Sequence, residues 1–146
     1  MRLLSLALAV MAVPVAAALP QYNLYLTDLS KNLSVSDSVK INGTATYINQ
    51  PAFSLDGKSL FFTLEQGKDA AVQTDIGRYH IADKKQDLLT KTALSEYSPT
   101  LLPDGSGVSV VVVEADQTQR LWKLDWQGNA SLLKADPKGV GYHAWG

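Results

Sequence analysis

Two stretches of the chain carry the same local pattern at a spacing of 48 residues. Asn49-Gln50-Pro51-Ala52-Phe53-Ser54-Leu55-Asp56-Gly57 runs into the apolar segment Leu60-Phe61-Phe62. Tyr97-Ser98-Pro99-Thr100-Leu101-Leu102-Pro103-Asp104-Gly105 runs into Val108-Ser109-Val110-Val111-Val112-Val113. Pro51 and Pro99, Asp56 and Asp104, and Gly57 and Gly105 stand in register. Each copy reads as an extended segment, an Asp-Gly turn and a second, more apolar extended segment. Such a unit cannot bury both of its faces alone and folds by stacking on neighbours.

The rest of each unit follows from pattern and turn chemistry. In the first, residues 52–54 form a short strand, 56–58 the turn and 59–64 a continuous apolar strand of the kind buried on both faces. Residues 66–69 read as a polar connection, 77–81 as a third strand, 82–86 as a hairpin tip and 87–90 as an outer fourth strand. The second unit repeats the order, with strands at 98–102, 108–114, 120–126 and 130–133. No window carries an apolar period of 3.6 residues, so no substantial helix is expected beyond the N-terminal segment. The flanks look like partial copies. Asn23–Leu29 resembles the segment Arg120–Trp126, and Gly141–Trp145 resembles Asn49–Phe53, the opening of a unit.

Residues 1–18 are expected to lie outside the fold. Arg2 precedes the short apolar core 3–13, and Pro14-Val15-Ala16-Ala17-Ala18 ends in the small residues that a signal peptidase reads. That core is shorter than the ~20 apolar residues of a spanning helix. Export followed by cleavage after Ala18 is therefore expected, with a periplasmic or secreted product and no stable membrane insertion. The remainder keeps all 14 acidic residues and one fewer than the 13 basic ones, which excludes the clustered positive charge that nucleic acid binding needs. The chain has no cysteine, so neither disulfides nor a lipidated cysteine is available to it. Sequons occur at Asn32, Asn42 and Asn129.

Residue types that can carry chemistry are sparse. Asp56 and Asp104 suit the turns they sit in, where a carboxylate accepts backbone N–H groups and the following glycine takes positive φ. A calcium loop would need several converging oxygens, and none is spelled out. His80 and His143 have no second histidine or carboxylate at metal-ligand spacing. Ser106 lies between Gly105 and Gly107, but the G-x-S-x-G pattern of hydrolases is not met. No catalytic residue, metal ligand or cofactor site is expected. Tyr25, Tyr79 and Trp122 fall at equivalent third-strand positions and are expected to pack between units. Trp126, His143 and Trp145 are the candidate contact residues, His143 because an inner strand would place it on a central channel.

At Pro51–Lys58 and Ser98–Gly105 the chain resembles the WD-like repeat of TolB-type β-propellers, whose usual wording is close to Ser-Pro-x-Phe-Ser-Pro-Asp-Gly-Lys before an apolar strand. The resemblance covers roughly residues 21–146. Leu55 stands where the repeat usually has Pro, and Leu102 and Ser106 where it often has Ser and Lys. It implies an all-β fold, a partial β-propeller of four-stranded antiparallel blades preceded by a signal peptide. The expected divisions are a half blade at 19–48, blades at 49–96 and 97–140, and the start of another at 141–146. The implied role is an exported, non-enzymatic module that binds a protein or small ligand, as part of a larger propeller. Related propellers also precede the catalytic domain of prolyl-oligopeptidase-type serine peptidases, which supplies the alternative reading. Two complete blades leave open apolar faces, through which self-association is expected.

Overall fold

The computed structural model describes residues 21–44, 47–67 and 72–146. The expected signal segment at 1–18 and part of the connection expected at 66–69 lie outside the described residues. Among those described, every regular element is a strand. In chain order these are β1 (Tyr25–Leu26), β2 (Val39–Lys40), β3 (Ile48–Phe53), β4 (Ser59–Gln66), β5 (Gln73–His80) and β6 (Lys85–Leu88), then β7 (Ser95–Leu101), β8 (Gly107–Val113), β9 (Gln119–Asp125) and β10 (Ala130–Lys134). They form three antiparallel sheets: β1-β2, β3-β4-β5-β6 and β7-β8-β9-β10.

The 48-residue spacing survives at the level of single hydrogen bonds. Gly57 N–H donates to Ser54 O and Gly105 N–H to Leu102 O, both at 2.9 Å. Asp56 Oδ1 accepts from Lys58 N–H at 3.1 Å, and Asp104 Oδ1 from Ser106 N–H at 2.9 Å. Gly57 and Gly105 take φ of 67° and 69°, the left-handed region a Cβ disfavours. Both aspartates are therefore turn formers, as their position in the sequence implies. Upstream, β3 shifts register between Asn49 and Ala52, and β7 between Tyr97 and Thr100. Each bulge centres on a left-handed residue that is not glycine, Gln50 at φ 54° and Ser98 at φ 55°.

Two hydrophobic layers hold the sheets together. Phe61 and Ile76 of the first sheet meet Val108, Val110, Val112 and Leu124 of the second, with Leu89 between them. On its other face the first sheet packs Leu60, Phe62, Leu64 and Tyr79 against Ile41, Ile48, Leu24 and Leu26. Residues 60–64 are consequently buried without a break, the apolar ones as their run requires and Thr63 with its hydroxyl bonded to Gln50. Burial of each large side chain stabilises the fold by about 2 kcal/mol. The β1-β2 pair covers this second layer but leaves Tyr25, Leu29, Leu33 and Val35 largely in solvent. Tyr25 thus departs from the packing role expected of it, because it alternates away from Leu24 and Leu26 on so short a strand.

Strand limits deviate from the sequence reading where polar residues are buried. β5 begins at Gln73, four residues before the expected start, and its polar residues Thr74 and Asp75 are 0 % and 1 % exposed. The segment 141–146 forms no strand, although it resembles the opening of a unit. Of the sequons, Asn42 is buried, its side chain accepting from Leu24 N–H at 2.6 Å and donating to Tyr22 O at 2.8 Å.

A Cβ on Gly107 would land on the backbone carbonyl of Leu124, whereas one on Gly57 meets open space. Gly107→Ala is expected to cost about 3 kcal/mol by forcing β8 off β9. Gly57→Ala should cost only about 1 kcal/mol, from φ alone. Urea denaturation of the two variants checks the order.

Candidate functional site

The candidate residues fall on two sides of the second sheet. Val108, Val110 and Val112 point into the inter-sheet layer, so Ser109 and Val111 point to the opposite face. Trp126 belongs to the first side and His143 and Trp145 to the second.

Trp126 follows β9 and crosses to the first sheet. Its ring stacks on Phe61 with centroids 5.5 Å apart and planes at 28°. Its indole N–H donates to Gly105 O at 3.0 Å, which ties it to the second Asp-Gly turn. The two rings help line a cleft of about 360 Å³ between the sheets, beside Leu55, Asp56, Leu101 and Arg78. Arg78 grips Asp87 with Nε and Nη2, at 3.0 and 2.6 Å, leaving Nη1 outside that fork. The pair holds the Asp87 carboxyl below the usual range and the guanidinium above its own. His80 Nε2 lies 3.5 Å from Asp87 as well, a juxtaposition across β5 and β6 that residue spacing does not reveal. The cleft therefore combines an aromatic wall with an internally neutralised ion pair.

On the other face, residues 139–145 fold back over the second sheet. Gly139 and Val140 N–H groups donate to Gln119 O, and both His143 Nε2 and Trp145 Nε1 reach Ser109 Oγ, at 2.6 and 3.0 Å. The Ser109 hydroxyl donates to Thr100 O at 3.1 Å. The assignment that satisfies each of these groups has His143 Nε2–H and Trp145 Nε1–H donating to Oγ and leaves Nδ1 as a lone-pair acceptor. His143 Nδ1 is buried without a hydrogen-bond partner, which fits the acceptor form. Burial lowers the imidazole pKa. With its proton committed to Thr100, Ser109 acts here as a fastener for the segment, and His143 does not draw a proton from it. The candidate contact residues His143 and Trp145 both bond to Ser109, and they lie on an irregular segment rather than on a strand.

A third cluster was not legible as a site. Asp75 on β5 and Glu96 on β7 are 1 % and 3 % exposed and share the junction between the two sheets. Thr90 and Thr92 hydroxyls each donate to Glu96 at 2.6 Å, and Thr92 N–H donates to Asp75 Oδ1 at 3.1 Å. Thr74 Oγ1 donates to Glu96 O at 2.9 Å, adding a backbone tie between the same strands. Burial raises both carboxyls, Glu96 to about 7. No sequence signal marks them, because Asp75 and Glu96 are far apart in the chain and each sits among ordinary polar residues. Among the described residues no cluster of His, Cys, Asp and Glu is arranged to hold a metal ion.

No family model matches the chain, and no curated protein is similar to it at a significant level.

Glu96 binds its proton more tightly folded than unfolded, so its contribution is fully present below its ordinary value of 4.5 and is lost as pH rises through about 7. A displacement of that size corresponds to ~3 kcal/mol. Denaturation midpoints are expected to fall between pH 5 and pH 8, and Glu96→Gln should flatten the dependence. A wild-type curve that is level across this range would mean that both carboxyls ionise within the fold.

Proposed function

We propose that the chain is an exported, non-enzymatic β-propeller module of the TolB-like kind, which works by binding a protein or ligand. The observation that carries the reading is the equivalence of two four-stranded antiparallel sheets at a spacing of 48 residues. Strand order, Asp-Gly turns and the left-handed bulges at Gln50 and Ser98 all repeat. Successive sheets packed face to face, each with the same internal order, are what blades of a propeller require. The charged-then-apolar opening of the sequence supports export.

Recognition in such a module falls to the seams between sheets and to uncovered faces. The cleft at Phe61, Arg78 and Trp126 is one such seam. The apolar side chains Tyr25, Leu29, Leu33 and Val35, 56–75 % exposed on and beside the β1-β2 pair, support association through that face, with a second copy as one partner.

Blade architecture has a direct test. A second copy of residues 49–96 inserted between Glu96 and Tyr97 adds one more unit of the same kind. The product is expected to stay soluble and to unfold at a midpoint no lower than the parent, because repeat units gain stability from each neighbour. Loss of the fold would sink the blade reading. For export, N-terminal sequencing of the protein from the exported fraction is expected to begin at Leu19, and a start at Met1 would overturn that part.

A further inference from the structure

We propose that the pocket at the N-terminal ends of β3 and β7 binds a proline-rich extended segment of a partner protein; this rests on the reading of the chain as a recognition module and names what it recognises. The pocket lies at the opposite ends of these strands from the Asp-Gly turns. It is a concavity of about 260 Å³ lined chiefly by Tyr47, Tyr97, Tyr142, Gln50, Gln119 and Val111, and no residue of its lining carries a charge. Tyr22 extends the aromatic surface, meeting Tyr47 edge to face at 5.8 Å.

The hydrogen-bonding character of this lining is set by the bulges. Gln50 Oε1 accepts from Ser98 N–H at 3.0 Å and from Thr63 Oγ1 at 2.9 Å. With its oxygen taken, the carboxamide presents its two Nε2–H donors to the pocket. The hydroxyls of Tyr97 and Tyr142 bond to no described residue and add donors. Ser98, the left-handed residue beside Tyr97, is 8 % exposed and its hydroxyl is buried without a partner, so strained backbone and unspent polar capacity coincide here. Tyr142 stands 82 % exposed on a segment that His143 and Trp145 pin to Ser109. With the backbone fastened, only the two χ angles of Tyr142 are ordered on binding.

An uncharged, aromatic and donor-rich surface complements a ligand that has apolar faces and acceptors but few donors. A proline-rich segment is such a ligand: each proline offers a ring and a carbonyl and has no N–H, and the extended helix is formed before binding. The concavity is smaller than sites that enclose a small molecule, ~300–1,000 Å³. It suits a segment that passes across it.

The full chain titrated with an acetylated, amidated octaproline, with a Gly-Ser peptide of equal length and with maltotetraose tests the proposal by calorimetry and tryptophan fluorescence. Octaproline alone is expected to bind, with sub-millimolar affinity. Tyr142→Ala should weaken it about fivefold or more, the effect of losing an interface aromatic, and Tyr97→Phe should weaken it less. Both should leave the thermal midpoint unchanged, and Leu33→Ser on the β1-β2 side should bind as the parent does. Absence of octaproline binding, binding of maltotetraose in its place, or full binding by Tyr142→Ala would each overturn the proposal. Such a failure, with the unit insertion tolerated, removes the ligand and leaves the architecture standing.

Discussion

A twisted four-stranded sheet whose second strand is apolar on both sides must be covered on both sides, and everything else in this chain answers that requirement. Phe61 and Phe62 are neighbours on β4 and so point to opposite faces, yet they are 2 % and 0 % exposed. One is covered by the second sheet and the other by the β1-β2 pair and residues leading into β3. The second sheet faces the same demand, with Val110 and Val111 both buried. Its inner face meets the first sheet, while its outer face is covered at Ser109 and Val111 by the returning segment 139–145.

Apolar contact alone is non-directional and would let the sheets slide. Two polar ties set their registration. Gln50 reaches from one bulge to the backbone N–H of Ser98 in the other, so each strained residue is held partly by its equivalent. Near the other end of β7's N-terminal half, Thr74 and the Asp75–Glu96 pair join β5 to β7. The first tie is neutral and insensitive to pH. The second includes Glu96, whose carboxyl burial raises to about 7, so the junction weakens as pH rises through that value. The two orphan atoms at this seam, Gln73 Oε1 and Ser98 Oγ, lie beside these ties, where side chains serve registration before their own satisfaction.

Much of the strand order could be read directly. The repeat placed both Asp-Gly turns, the uninterrupted strands β4 and β8 and the absence of helix from the regular elements described here. Residues such as Val108 to Val113 admit little else, because period-free apolar runs of that length, bounded by turn residues, suit a buried strand. Two readings failed for identifiable reasons. The third strand, expected to begin at Gly77, begins at Gln73 instead, because burial of Thr74 and Asp75 depends on partners that are distant in sequence. Gly141–Trp145 looked like a strand because it resembles one, but no neighbouring strand pairs with it and Ser109 captures its side chains instead.

Trp126, His143 and Trp145 stand out in the sequence as aromatic and imidazole groups near the ends of the units; the structure packs Trp126 against the core and ties the other two to Ser109. Their distribution could not be read there, for Trp126 is drawn to Phe61 and the Gly105 carbonyl on one face, while Ser109, which points to the other face of β8, captures His143 and Trp145. The sequence by itself determined the unit, its turns, its strand character and its 48-residue spacing, because these rest on local geometry and hydrophobic alternation. Only the tertiary structure decided which polar groups are buried together, at Gln50–Ser98, Asp75–Glu96 and Ser109–His143. Those pairs are joined across 48, 21 and 34 residues. Their partners are chosen by how whole sheets stack, a property no local pattern encodes.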